Sequence, residues 1–300
     1  MNNRQLEFPS ALSLQVIDLD RDCLRWAWKN GILVSPEQVE SFRRQKINWF
    51  AAYLYPELEA ERLKVLMRFF LCLFRIDDGM DNWTNEDSYL LLKALEKRGS
   101  WEGKPEFSSL RQHTLSLFRR ISRWSNSEIW RKEWKENWIL YLEGLGWELT
   151  LKAENKVPEL NDYQQNRGFS SGVFLAFQLL RIDCYSPSCG MLKMEQLISR
   201  LITLSNDIGS FEKERRQGDF QNELILLEGI IGLDSAKRRV KKELERLKWQ
   251  ILGLGDYLTK HESDTKPWVE SALLLAGGCQ AWSEESIRYL SRINGTVKSH

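Results

Sequence analysis

Residues 68–81 read Arg-Phe-Phe-Leu-Cys-Leu-Phe-Arg-Ile-Asp-Asp-Gly-Met-Asp. Apolar residues recur here at three- and four-residue intervals, the period of a helix and not the alternation of a strand. Phe70, Phe74, Asp77, Asp78 and Asp81 stand at i, i+4, i+7, i+8 and i+11, so one helical stripe carries two phenyl rings below three carboxylates. On a solvent face the rings would be exposed, and in a core the charges would be buried unpaired. A cavity with an apolar floor and a wet, metal-bearing mouth satisfies both halves. Acids at the C-terminal end of a helix oppose its dipole, so a compensating cation is expected beside them.

The same period runs along nearly all of the 300 residues, and strand-like alternation is almost absent. Ser35-Pro36-Glu37 has the form of an N-cap, a first-turn proline and a first-turn acid. Loops are expected at 98–106, 154–160, 184–190 and 215–222, none of low complexity. No composition shift marks a linker and no repeat recurs at a fixed period. The expectation is an all-α fold, a single domain over residues 1–300 built from about ten to twelve helices, with 1–12 as a flexible N-terminal segment. The charged stretch 235–262 reads as a solvated helix face.

Composition removes several function classes. Lys plus Arg is 43 and Asp plus Glu is 42, for a net charge of +1, so the basic excess of a nucleic-acid binder is missing. The 13 Trp and 13 Phe promise a large buried aromatic surface, whereas 3 His count against a Ser-His-Asp triad or a two-His metal site. Five scattered cysteines without a C-x-x-C pair read as reduced core thiols. The opening MNNRQLEFPS has no apolar core of a signal peptide, and no run approaches the roughly 18 apolar residues of a membrane span. No membrane span is expected, and the default location is cytoplasmic.

A second chemical motif is Asn206-Asp207-Ile208-Gly209-Ser210-Phe211-Glu212-Lys213-Glu214. Asn206, Ser210 and Glu214 are spaced i, i+4 and i+8; each step turns about 400°, so the three share a face. An amide, a hydroxyl and a carboxylate offer hard oxygen ligands, which suit Mg²⁺.

Together, Asp77-Asp78-x-x-Asp81 and Asn206-Asp207-x-x-Ser210-x-x-x-Glu214 resemble the two metal motifs of a class I terpene synthase of the bacterial type. Lys213 before the glutamate, Gly218-Asp219 and Asn222 after it, and Trp282 followed by Arg288-Tyr289 extend the resemblance. Arg167-Gly168-Phe169-Ser170-Ser171-Gly172 is similar to the family's diphosphate-sensing segment. That segment often carries two adjacent arginines and a threonine, where this chain has Gly168 and Ser170. The resemblance covers at least Phe70 to Tyr289.

The resemblance implies a helical bundle around a central active-site cavity, three Mg²⁺ ions and a linear isoprenyl diphosphate substrate. Asp77 and Asp81 would hold two ions, and Asn206, Ser210 and Glu214 the third. Asp78 would pair with a nearby cation. Arg167 (the sensor), Lys213, Arg288 and Tyr289 would donate to the diphosphate, with Ser170 as linker and Ser171 as effector. Ionisation leaves an allylic carbocation, which a dry pocket shields and aromatic faces stabilise. Phe70, Phe74 and Trp282 are the candidates, and Gly278, Trp282 and Tyr289 share a stripe. Core packing is the rival reading for each aromatic. Farnesyl diphosphate is favoured and geranylgeranyl diphosphate is the alternative. An isoprenyl diphosphate synthase would need a second Asp-rich motif, and a non-catalytic helical binding protein would not need every ligand position filled. A homodimer is common in the family.

Overall fold

The computed structural model describes residues 7–96, 103–182 and 186–286. Arg288, Tyr289, Cys184 and His300 lie outside the described residues. Among the described residues there is no strand, and no helix is long and apolar enough to cross a membrane.

The described residues form two compact units. One takes 11–156 and runs through α1 (Val16–Lys29), α2 (Pro36–Arg44), α3 (Trp49–Leu54), α4 (Ala60–Met80), α5 (Asn85–Glu96), α6 (Pro105–Ser122) and α7 (Glu128–Glu154). The other joins 7–10 to 157–286 through α8 (Leu160–Ser170), α9 (Val173–Leu180), α10 (Cys189–Gln217), α11 (Glu223–Ile231), α12 (Leu233–His261) and α13 (Lys266–Glu285).

Local chemistry sets the ends of these helices. The Ser35 hydroxyl accepts from Gln38 N–H at 3.2 Å and Pro36 opens α2, as the sequence pattern predicts. Ser127 and Ser188 cap α7 and α10 in the same way, while α7 ends at Asn155 and α10 at Gly218, both left-handed. The expected loops at 154–160 and 215–222 fall at these two ends. A break the sequence reading passes over separates α8 from α9 at Gly172, where φ is +70°.

In the first unit the aromatic surplus becomes a ladder. Trp130, Trp134 and Trp138 of α7 are spaced i, i+4, i+8 and are buried. Trp130 and Trp134 stack with centroids 5.7 Å apart and planes 9° apart. Phe118 of α6 stacks on Trp134 at 5.2 Å, and Phe69 of α4 meets Trp134 at 5.8 Å. The indole N–H groups do not go unmade: Trp134 Nε1 donates to the Phe118 carbonyl at 3.3 Å and Trp138 Nε1 to the Leu95 carbonyl at 3.2 Å. This ladder locks α4, α6 and α7, and so holds the helix that ends in the acidic motif.

Of the expected N-terminal segment 1–12, Phe8 is buried and the Pro9 carbonyl lies against Gly277 of α13. A ring at Phe8 gains from leaving water, which anchors the segment. Cys23, Cys72 and Cys279 are buried thiols pushed up to about 12 by burial, but Cys189 is exposed at the start of α10 and is no core thiol.

Replacing Trp134 by Ala empties the centre of the ladder and should cost about 3–5 kcal/mol of stability. Trp28, 46% exposed, should tolerate Ala within about 0.5 kcal/mol. Denaturant midpoints of the two variants check the contrast.

Candidate active site

The acidic motif closes α4. Asp77 is exposed, Asp78 is half-buried and Asp81 is the C-cap residue. Lys152 of α7 places Nζ 2.8 Å from Asp81 Oδ1, the cation the helix dipole requires. The Asp81 side chain is 52% exposed, so the pair contributes at most about 1 kcal/mol and yields readily to a stronger cation. Burial, and then the charges of Asp77 and Glu148, raise the Tyr141 hydroxyl well above its usual range. The Asn82 and Trp83 N–H groups both donate to the Gly79 carbonyl at 2.8 Å. The Trp83 indole lies directly on Gly79, where a methyl group would overlap it. Arg75 covers that indole at 5.0 Å and Phe107 at 4.5 Å. The glycine inside the motif is therefore a packing requirement.

Below the acids the two phenyl rings separate. Phe70 is buried among Phe50, Tyr55 and Phe69, with centroids at 5.3, 6.4 and 5.9 Å. Phe74 is half-buried and meets Phe50 edge-on at 5.3 Å.

The oxygen-rich motif lies on α10, where Asn206, Ser210 and Glu214 are half-buried on successive turns. Asp207 between them is fully buried, and donors from two other helices hold it. The Tyr163 hydroxyl donates to Oδ2 at 2.8 Å, Glu223 N–H to Oδ2 at 3.0 Å, and Arg167 Nε to Oδ1 at 3.3 Å. Burial raises the Asp207 carboxyl, while Arg167, the Glu223 N–H and Tyr163 oppose that shift. Arg167 also donates through Nη2 to Asn206 Oδ1 at 3.0 Å and through Nη1 to Ser170 Oγ at 3.5 Å. The structure thus gathers Arg167, Ser170 and Asn206 around one guanidinium. The Ser171 hydroxyl donates to the Gly168 carbonyl at 2.8 Å.

The departure at Gly168 has a steric cause. A Cβ there would stand 3.2 Å from the Phe174 ring of α9 and 3.2 Å from Ser199 Oγ of α10, so a side chain at this position requires both neighbours to give by a few tenths of an ångström. Lys213 is exposed and takes no part in the network among the described residues. Trp282 is buried on α13.

The donor set fits Mg²⁺. Asn206 Oδ1, Ser210 Oγ and the Glu214 carboxylate are all oxygen, with a single formal charge, and leave positions for water or phosphate oxygens. Ser210 Oγ donates to the Asn206 carbonyl at 3.0 Å, and Asn222 Nδ2 lies 3.3 Å from it. Among the described residues no three or more His, Cys, Asp or Glu side chains gather into a metal-holding group, Asp77, Asp78 and Asp81 included.

Residues 68–247 match the family described as terpene synthase family 2, C-terminal metal binding. The chain belongs to this terpene synthase family. The matched region opens at Arg68, inside α4, and includes both motifs, and its family description assigns metal binding to it. A 4-epi-cubebol synthase of Streptosporangium roseum, named as cyclising (2E,6E)-farnesyl diphosphate, is 25% identical over 239 residues, covering 73% of this chain and 69% of the relative. Germacrene A synthase of Nostoc punctiforme is also 25% identical, over 94% of this chain and 93% of its own length. In fold, this terpene synthase is similar to the linalool/nerolidol synthase of Streptomyces clavuligerus. The TM-score is 0.81 at 18% identity, with 91% of this chain and 100% of the other covered.

Four residues of the terpene synthase escaped the sequence reading: Lys152, Tyr163, Asp207 as a buried hub, and Asn222 as more than a loop position. Tyr163 had a signal, since it stands four residues before Arg167 on the same helix face. Asn222 precedes Glu223 and an apolar run, the form of an N-cap.

Burial pushes the Glu214 carboxyl up from 4.5 to about 7, with Asn222, Ser210 and Arg167 acting against the shift and Asp207 with it. A raised folded-state pKa contributes stability fully present below the unfolded value and lost as pH rises through the folded one. Chelated protein should therefore lose melting temperature between about pH 5 and pH 8, and Glu214→Gln should flatten that slope. Parallel slopes for both proteins would show that another group is responsible.

Proposed function

We propose that this terpene synthase ionises a linear isoprenyl diphosphate, farnesyl diphosphate, and cyclises the carbocation to a sesquiterpene hydrocarbon or alcohol with release of diphosphate. The observation that carries this reading is the Arg167 guanidinium seated on Asn206 and Asp207 beside the oxygen set of α10. A cation-ready oxygen face next to a fork-shaped phosphate donor suits a metal-bound diphosphate better than either ligand alone. The names of relatives that cyclise (2E,6E)-farnesyl diphosphate, including the (+)-T-muurolol synthase of Roseiflexus castenholzii, support the C15 substrate.

In this reading Asp77 and Asp81 would hold two Mg²⁺ ions and Asn206, Ser210 and Glu214 would hold a third. Bound Mg²⁺ supplies positive charge that lets a diphosphate approach carboxylates and that offsets charge on the leaving group. Lys152 releases Asp81 when a divalent cation competes for it. Arg167 donates to diphosphate oxygens, joined by Lys213, Arg288 and Tyr289. The allylic C–O bond breaks, both electrons leave with the diphosphate, and the hydrocarbon becomes a cation. Phe74 and Trp282 face that cation with π clouds, which stabilise charge without a lone pair to attack it. Loss of a proton or addition of water ends the reaction. In this reading Asp78 would pair with a cation of the chain, Ser170 would link Arg167 to the break at Gly172, and Ser171 would act there as effector.

Incubation with C10, C15 and C20 diphosphates and Mg²⁺, followed by gas chromatography–mass spectrometry, tests the substrate. The C15 diphosphate should give cyclic products and Mg²⁺-dependent diphosphate release. Preference for the C20 substrate would make the protein a diterpene cyclase. Asn206→Ala should lower turnover by about a hundredfold or more with helical content intact.

The two rings of α4 give a separate test. Phe74→Leu should redistribute products with little change in melting temperature. Phe70→Leu, in the buried cluster, should lower stability first. The reverse pattern would exchange their assignments.

A further inference from the structure

Asn222 is completely buried, and it lies outside the residues that the two motifs mark as ligands. Its side chain makes two kinds of contact. On one side, Oδ1 accepts from Leu224 N–H at 2.9 Å and from Ile225 N–H at 3.3 Å, capping the N-terminus of α11. On the other, Nδ2 stands 2.7 Å from Glu214 Oε2, 2.6 Å from the Asp207 carbonyl and 3.3 Å from Ser210 Oγ.

The orientation of this amide follows from its neighbours. Turned over, the oxygen would face a carboxylate and a carbonyl, and the NH₂ would face two N–H donors, so the contacts to Glu214, Asp207, Leu224 and Ile225 would all be repulsive. A carboxamide nitrogen has two hydrogens, and the two short contacts, to Glu214 and Asp207, use both. No other residue type serves both sides. Serine, threonine and aspartate can cap a helix, but none of them presents an NH₂ to Glu214.

The consequence falls on Glu214. Its Oε2 is committed to Asn222, which sets the plane of the carboxylate and leaves Oε1 as the oxygen to present to a cation. Metal-ligating carboxylates work best when a neighbour holds them so. We infer that Asn222 is a positioning residue for metal uptake: it orients Glu214 on α10 and ties that orientation to the first turn of α11. The inference rests on the proposed Mg²⁺-diphosphate chemistry of this site.

Asn222→Ser and Asn222→Thr separate the two contacts, because each retains a capping hydroxyl and loses the donor to Glu214. Mg²⁺ is titrated calorimetrically into wild type and variants in the presence of inorganic diphosphate, with far-UV circular dichroism and melting temperature recorded on chelated protein. The variants should fold, melt near wild type, and need about tenfold more Mg²⁺ for half-saturation. In a Glu214→Ala background, adding Asn222→Ser should cause no further loss, because the contact is already gone. Wild-type Mg²⁺ affinity in a folded variant would overturn the inference. A full additional loss in the Glu214→Ala background would overturn it too, and unfolding of both variants would leave Asn222 a cap alone. If wild type itself takes up no Mg²⁺ with diphosphate, the proposed function fails along with it, and the wild-type titration identifies that case.

Discussion

A carboxylate taken out of water must be met by donors, and the second unit is organised around meeting one. Asp207 receives the Tyr163 hydroxyl and the Arg167 guanidinium from α8 and the Glu223 N–H from α11. Three helices are thereby fixed relative to one another by a single buried charge. Removing one partner of such a charge typically costs about 3–5 kcal/mol, far more than an exposed pair contributes. Glu223 continues the tie, since Arg200 of α10 makes a two-pronged ion pair with it and Gln164 of α8 donates to it at 2.8 Å. Asn206, Ser210 and Glu214 sit half-buried on this frame, one turn of α10 apart.

The first unit reaches the same end by apolar means. Its acidic motif sits at the end of α4, and α4 is held by the Phe69 contacts with Trp134 and Trp138. Beyond the motif, the Trp83 indole closes over Gly79 and turns the chain away. Among the interactions at the carboxylates are the exposed Lys152 pair at Asp81 and the field of Asp77 at Tyr141.

Much of this was legible in the amino-acid order. The all-helical fold follows from the three- and four-residue period, and the ligand candidates follow because helical spacing converts Asn206, Ser210 and Glu214 into one face. The ladder was legible too, with Trp130, Trp134 and Trp138 at i, i+4 and i+8, but without a partner helix the spacing does not distinguish a core stripe from a pocket wall. The double duty of Asn222 and the burial of Asp207 were not legible. Both depend on where α8 and α11 pack against α10, a tertiary arrangement with no local period. The same holds for Gly168, whose closeness to Phe174 and Ser199 has no signal in the sequence.

The indole ladder also makes the molecule an optical instrument of uneven sensitivity. Ten of the 13 tryptophans fall within residues 11–156. Two of them, Trp130 and Trp134, stack nearly parallel at 5.7 Å, close enough for their excited states to couple. Near-ultraviolet dichroism and intrinsic emission will therefore follow the unit that carries the acidic motif, while Trp249, Trp268 and Trp282 give the other unit a fainter voice. A melting curve read by fluorescence and one read by backbone dichroism then sample different parts of the same chain, and any gap between them measures how independently the two units come apart.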